Sequence, residues 1–198
     1  MFDASRNGKN TDDNSDHLTF LARWLSHPWR IGAVAPSGRS LARLMVSELS
    51  RRSAPVFELG PGTGVFTHAL LEKSIPAREI TLVEFDQDFA ALLQKRFPDT
   101  RVLCGDAARL SKHELSAQCG LGAVISGLPL LSMPIRKVAM ILIASFRLLR
   151  PGASFYQFTY GSRCPIPRAL LERLGLKASR VGRTYRNIPP ATVYRISR

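Results

Sequence analysis

Long apolar runs are missing from this chain of 198 residues. No stretch approaches the roughly 18 residues that span a bilayer, so no transmembrane helix is expected. Cysteine is sparse, and Cys104, Cys119 and Cys164 fall at no metal-ligand or redox spacing. Such a set suits a reducing cytoplasm rather than a disulfide framework. The first sixteen residues, MFDASRNGKNTDDNSD, hold no apolar stretch; they are expected to form a polar tail and not a secretory signal. No internal repeat is visible. Acidic residues are the main shortage: 15 Asp and Glu face 28 Lys and Arg, for a net charge of +13. An excess of that size points to a polyanionic partner, either nucleic acid or an anionic membrane surface. It is also regional, since residues 147–198 carry eleven Arg or Lys against Glu172 alone. Apolar residues, at 45 %, suffice for a full core and exclude a wholly disordered chain. The length fits one domain.

After the tail, Leu18, Leu21, Trp24 and Leu25 recur at helical spacing over residues 17–28, with Trp29, Arg23 and Arg30 near the end. This reads as an amphipathic helix suited to a headgroup interface, or alternatively as one packed on the rest of the fold. A second helix is expected after Pro36-Ser37, through Leu41, Leu44, Met45 and Leu49. Residues 17–52 are therefore set apart as N-terminal helices facing membrane or substrate, and residues 53–198 as the main domain. From residue 56 short apolar runs alternate with helical patterns. Strands are expected at 56–59, 80–85, 101–104, 122–125 and 153–159, with a terminal hairpin near 176–183 and 192–196. A strongly apolar helix is expected over 134–149. Strands alternating with helices imply a mostly parallel, doubly wound α/β sheet whose ligands bind beyond the strands' carboxyl ends.

The polar features sit at those ends. The first strand runs into Glu58-Leu59-Gly60-Pro61-Gly62-Thr63-Gly64. Glycines at alternate positions let the backbone turn sharply and approach a ligand closely. Val65 stands where a dinucleotide fingerprint has its last glycine, and no Gly-Lys-Ser/Thr follows, so nicotinamide and Walker-type sites fit poorly. Glu84 ends the second strand, where a carboxylate can accept from both ribose hydroxyls. Asp106 ends the third, placed either to reach an adenine amine or to cap a helix.

This loop, with Leu82-Val83-Glu84 behind it, resembles the class I S-adenosylmethionine-dependent methyltransferases over about residues 54–160. The resemblance implies a Rossmann-like sheet of seven strands with the last one reversed. It implies S-adenosyl-L-methionine as cofactor, with S-adenosyl-L-homocysteine as product and no metal. Gly60, Gly62 and Gly64 would flank its methionine part, Glu58 would help hold that region, Glu84 would bind the ribose and Asp106 the adenine. The fourth strand ends in Ser126-Gly127-Leu128-Pro129-Leu130, where methyltransferases of nucleic-acid bases commonly place Asn or Asp and an aromatic ring. Ser126 and Leu130 replace both, which disfavours a nucleic-acid base as acceptor in spite of the charge. An rRNA adenine dimethyltransferase stays as the alternative, and a non-catalytic membrane- or nucleic-acid-binding module as a third reading.

A second resemblance covers nearly the whole chain after the tail. Residues 126–134, the segment Tyr185-Arg186-Asn187-Ile188-Pro189-Pro190 with Val193-Tyr194-Arg195, and the run from Gly32 to Ser37 are similar to the rhizobial-type bacterial phospholipid N-methyltransferases. The resemblance implies stepwise methylation of phosphatidylethanolamine towards phosphatidylcholine by a cytoplasmic protein held peripherally on the membrane. The lipid ammonium must lose a proton before its nitrogen can attack. Tyr185, Tyr160 and the backbone carbonyls of Ser126 and Gly127, with water, are candidates for accepting that proton or orienting the amine. Arg183 and Arg186 are candidates for the lipid phosphate, Asn187 for the amine or phosphate, and Trp24 for the interface.

Overall fold

The computed structural model describes residues 36–110, 120–187 and 189–198. The expected helix over residues 17–28, Trp24 included, lies outside them. Seven strands form one sheet in the order β3-β2-β1-β4-β5-β7-β6. They are β1 (Val56–Leu59), β2 (Ile80–Glu84), β3 (Arg101–Cys104), β4 (Leu121–Ser126), β5 (Leu149–Thr159), β6 (Lys177–Thr184) and β7 (Ala191–Ser197). β1 to β5 run parallel, and β7 is antiparallel to both β5 and β6. The chain winds outward from β1 to β3, then returns to place β4 on the other side of β1. That reversal opens a crevice beyond the carboxyl ends of β1 and β4, where sheets of this kind bind ligands.

Helices cover both faces because the central strands are apolar on both. β1 and β2 are buried at every position, the signature of parallel strands with no solvated side. On one face pack α1 (Pro36–Met45), α2 (Val65–Glu72) and α3 (Gln87–Arg96), through Leu41, Met45, Leu70 and Leu93. The second helix expected from the sequence thus shares the core of the sheet. On the other face lie α4 (Ile135–Leu148) and α5 (Arg168–Arg173), through Val138, Ile141, Leu142 and Leu171. Asp86 caps α3, its side chain accepting from the backbone N–H groups of Asp88 and Phe89.

β5 begins four residues earlier than the sequence pattern indicates. Leu149 already pairs with Leu121, and the register shifts before Ala123 meets Ser154. Pro151 and Gly152 fall in that irregularity, with Gly152 at φ +79°. A bulge tolerates the missing donor and the left-handed residue that a regular ladder would reject.

Gly122, inside β4, is a packing constraint with no local sequence signal. A Cβ there would overlap the Ser53 carbonyl, which is backbone and cannot swing aside. Gly122→Ala is expected to destabilise the fold by about 1–3 kcal/mol, the usual range for overpacking. Thermal unfolding followed by circular dichroism checks this; an unchanged Tm contradicts it.

Candidate active site

Glu58 is fully buried in the central strand, one residue before the turn begins. The Thr67 hydroxyl, from the first turn of α2, donates to its Oε2 at 2.7 Å. Its Oε1 is buried and has no partner. Burial pushes this carboxyl from the ordinary 4.5 to about 8, against the pull of the two Thr67 hydrogen bonds; the nearby Glu84 charge adds to the rise. The loop that follows is left-handed at three places, with φ +65° at Gly60, +54° at Gly62 and +79° at Gly64. These glycines serve different ends. A Cβ on Gly60 would strike the Leu128 side chain, and one on Gly64 the Phe97 ring. At Gly62 a Cβ would meet nothing within 4 Å, so open space adjoins the loop there.

Glu84 faces that loop from the end of β2. Its Oε2 accepts from the Gly62 N–H at 3.1 Å, and its Oε1 from the N–H groups of Phe85 at 2.8 Å and Asp86 at 3.1 Å. Asp106 caps the short 3-10 turn Ala107–Arg109 through the Ala108 N–H and pairs with Lys137 at 3.0 Å. Burial pushes Asp106 upward, but the Ala108 N–H and the Lys137 ammonium outweigh it and hold the carboxyl below its ordinary range. Loop, Glu84 and Asp106 therefore sit side by side at the carboxyl ends of the neighbouring strands β1, β2 and β3.

Beyond β4 the chain turns tightly. Gly127 donates its N–H to the Leu59 carbonyl at 2.8 Å, and a Cβ on it would crowd the Gly60 carbonyl at 2.6 Å. The Ser126 hydroxyl is buried and accepts from the Leu128 N–H at 3.3 Å. Leu130 is buried in the core. Gln157 ties β5 to this turn, its Nε2 donating to the Leu128 carbonyl at 3.0 Å. Just beyond β5, Tyr160 and Asn187 meet: burial raises the Tyr160 hydroxyl to about 12 in spite of a side-chain hydrogen bond with Asn187. Asn187 is itself buried and donates to the Pro189 carbonyl at 2.8 Å. Tyr185 turns outward, 72 % exposed, with the Arg183 guanidinium 5.0 Å from its ring centre. Arg183 and Arg186 are both exposed. A cavity of about 860 Å³ lies at the opposite end of the sheet, lined by Glu48, Arg150, Tyr156 and Arg195. Glu48 there accepts from both Tyr156 and Arg195.

An ornithine lipid N-methyltransferase of Singulisphaera acidiphila is 32 % identical over 151 residues, which cover 73 % of this chain and 78 % of that protein. The chain belongs to the class I S-adenosylmethionine-dependent methyltransferases. The ribosomal RNA adenine dimethylase family matches over residues 42–107 only. A ribosomal RNA small subunit methyltransferase A of Parabacteroides distasonis is 38 % identical over 66 residues, 32 % of this chain and 24 % of that enzyme. The magnesium protoporphyrin IX methyltransferase of Synechocystis PCC 6803, solved with bound S-adenosylmethionine, shares the fold. Its TM-score is 0.64 at 14 % identity, covering 97 % of this chain and all of that one.

S-adenosylmethionine is the cofactor of this methyltransferase, and the crevice fits it. The orphaned Glu58 Oε1 can accept from a cationic amine, and the open space at Gly62 admits a ligand against the backbone. Thr67, Lys137 and Gln157 escaped the sequence reading. Thr67 left one faint signal, a hydroxyl placed early in the helix that follows the glycine loop. Lys137 and Gln157 reach the site only through tertiary contacts.

The Glu58 proton makes the ligand-free protein sensitive to pH. Between 4.5 and about 8 the folded state holds a proton that the unfolded state has released. Stability contributed by this group is thus present at low pH and lost as pH rises through about 8. Between pH 5 and 8, the Tm of the wild type should fall relative to that of Glu58→Gln. Parallel profiles would contradict the assignment.

Proposed function

We propose that this methyltransferase acts on the amine of a membrane lipid, phosphatidylethanolamine and its methylated intermediates, leading towards phosphatidylcholine. The observation that carries the reading is the turn after β4. Its Ser126 hydroxyl is bound to the Leu128 N–H, and its Leu130 side chain is in the core. A flipped base calls for a free polar side chain beside its amine and a ring to stack on, and this turn offers neither. The relative named for ornithine lipid methylation supports a lipid amine as acceptor. The match to ribosomal RNA methylases favours RNA as a second reading, but the part of it that the adenine dimethylase family covers ends at residue 107, before the turn begins.

S-adenosylmethionine supplies a methyl group already activated on its sulfonium, so the protein's task is alignment and desolvation. In this reading Glu58 Oε1 takes the amino group of the cofactor's methionine part, flanked by Gly60, Gly62 and Gly64. Glu84 takes the ribose. Three of its roughly four lone-pair positions already accept N–H groups, so gripping two hydroxyls requires giving up the Gly62 N–H. Asp106 and the 3-10 turn it caps adjoin the adenine.

On the acceptor side, the Ser126 and Gly127 carbonyls and the Tyr160 hydroxyl orient the lipid amine. With its hydroxyl raised to about 12, Tyr160 stays a neutral phenol near pH 7. It can accept an N–H but is too firmly protonated to act as the base, so the ammonium proton leaves to water. Asn187 fixes the Tyr160 ring. Arg183 and Arg186 supply bidentate donors for the lipid phosphate beside the outward-facing Tyr185. No helix among the described residues is long and apolar enough to cross a membrane. In this reading a long-chain acceptor is met at the bilayer surface. The surplus positive charge suits an anionic one.

Expression in a host that lacks phosphatidylcholine, followed by mass analysis of its lipids, tests this directly. Mono-, di- and trimethylated ethanolamine headgroups should appear with the wild type and vanish with Glu58→Ala. Methylated ornithine lipid in their place would change the acceptor and keep the lipid class. Methyl label found only in ribosomal RNA would overturn the proposal. Tyr160→Phe should lower kcat/KM for the lipid about tenfold, the worth of one orienting hydrogen bond, with cofactor affinity unchanged.

A further inference from the structure

α4 hides one face and displays another that ordinary solubility does not explain. Val138, Ile141, Leu142, Ser145 and Phe146 are buried against the sheet. Outward, at spacings of four, three and four, stand Arg136, Met140, Ile143 and Arg147, all exposed. Met140 is 47 % and Ile143 39 % exposed; ahead of them Ile135 is 50 % and Leu131 55 % exposed. Four of the six large exposed apolar or aromatic side chains among the described residues thus crowd into residues 131–143. The other two have neighbours that account for them. The Lys137 ammonium lies 5.8 Å from the Phe85 ring centre, and Tyr185 lies beneath Arg183.

Charge is segregated in the same direction. Residues 36–110 carry ten Arg or Lys against nine Asp or Glu, so the β1–β3 half is nearly neutral. Residues 120–198 carry thirteen against Glu172 alone, and Glu172 is paired with Arg168 at 2.7 Å. α4 has no acid at all. Water-facing helices normally intersperse both signs of charge on the outer face. An apolar strip framed by arginines, with no acid near it in sequence, is instead the pattern of a helix that settles at a headgroup–acyl boundary.

We propose that the outer face of α4, with Leu131 and Ile135 at its start, is a docking surface for a bilayer containing anionic lipid. This rests on the lipid-amine reading above and adds a docking element to the one expected over residues 17–28. The placement has a consequence for catalysis. The 3-10 turn Leu130–Ser132 joins the acceptor turn directly to α4, with Leu130 buried and Leu131 exposed. Seating Leu131 and Ile135 in the headgroup layer brings the acceptor turn to the bilayer surface. A lipid amine then reaches the crevice with its acyl chains still in the membrane. Methionine and isoleucine at the centre of the strip favour acyl chains over the phosphates and bases of RNA, which call for cations and stacking rings.

The test compares the full-length wild type with Met140→Gln/Ile143→Gln on vesicles of phosphatidylcholine with about one third phosphatidylglycerol. The variant should bind at least tenfold more weakly and lose methylation of long-chain phosphatidylethanolamine in those vesicles. It should methylate a dispersed short-chain phosphatidylethanolamine as fast as the wild type. Equal vesicle binding by the two proteins, no binding by either, or a loss confined to RNA binding would overturn the docking surface. Weakened vesicle binding with no methylation of dispersed lipid by either protein would leave the surface standing and sink the lipid-amine reading. Should the double variant melt early, Ile143→Trp replaces it. Its vesicle affinity should rise, and its emission above the wild-type background should be quenched by brominated acyl chains; unquenched emission would contradict the proposal.

Discussion

A carboxylate removed from water at the end of the central strand is the constraint around which the crevice is built. Glu58 has one oxygen on Thr67 and the other on nothing. Leaving a charge there unpaired would cost several kcal/mol, so the group keeps its proton to about pH 8. The loop behind it is shaped by the same demand for closeness. Gly60 and Gly64 have no room for a side chain because Leu128 and Phe97 press on them, while Gly62 borders empty space. A site that is tight where it meets the protein and open where it meets a ligand is already organised for binding.

The fold divides the labour between two halves. β1 to β3 carry the glycine loop, Glu84 and Asp106, with charges nearly balanced. β4 to β7 carry the Ser126–Leu130 turn, the Tyr160–Asn187 pair and almost all of the positive surplus. This division explains why the comparisons pull in two directions. The ribosomal RNA methylase family matches residues 42–107, which span β1 to β3 and little else. The ornithine lipid methyltransferase match covers 151 residues, too many for the first half alone. Similarity in how a cofactor is held says little about what is methylated.

Much of the architecture was legible because each strand is announced locally. Val56–Leu59 and Arg101–Cys104 stop at glycines, and the terminal hairpin carries β-branched residues on both sides of a Pro-rich tip. The start of β5 was not, because Pro151 and Gly152 signal a break that the structure absorbs as a bulge. Among site residues, the glycines and acids were visible as a pattern at strand ends. Gln157 and Lys137 were not: their partners, the Leu128 carbonyl and Asp106, lie about thirty residues away in sequence. The sequence offers Tyr185 as a candidate for accepting the amine's proton or orienting it, converging with Asn187 on the substrate. The hairpin turns the two apart, burying Asn187 and leaving Tyr185 in solvent.

We propose that a protonated Glu58 becomes the charged partner of the cofactor's amino group. Calorimetric titration with S-adenosylhomocysteine, repeated at pH 7 in buffers of different ionisation enthalpy, counts the protons exchanged on binding. A carboxyl held at about 8 and then paired with a cation should release nearly one proton per ligand. Glu58→Gln, if it still binds, should release none. Binding by the wild type without proton release, or the same release from both proteins, would contradict the account.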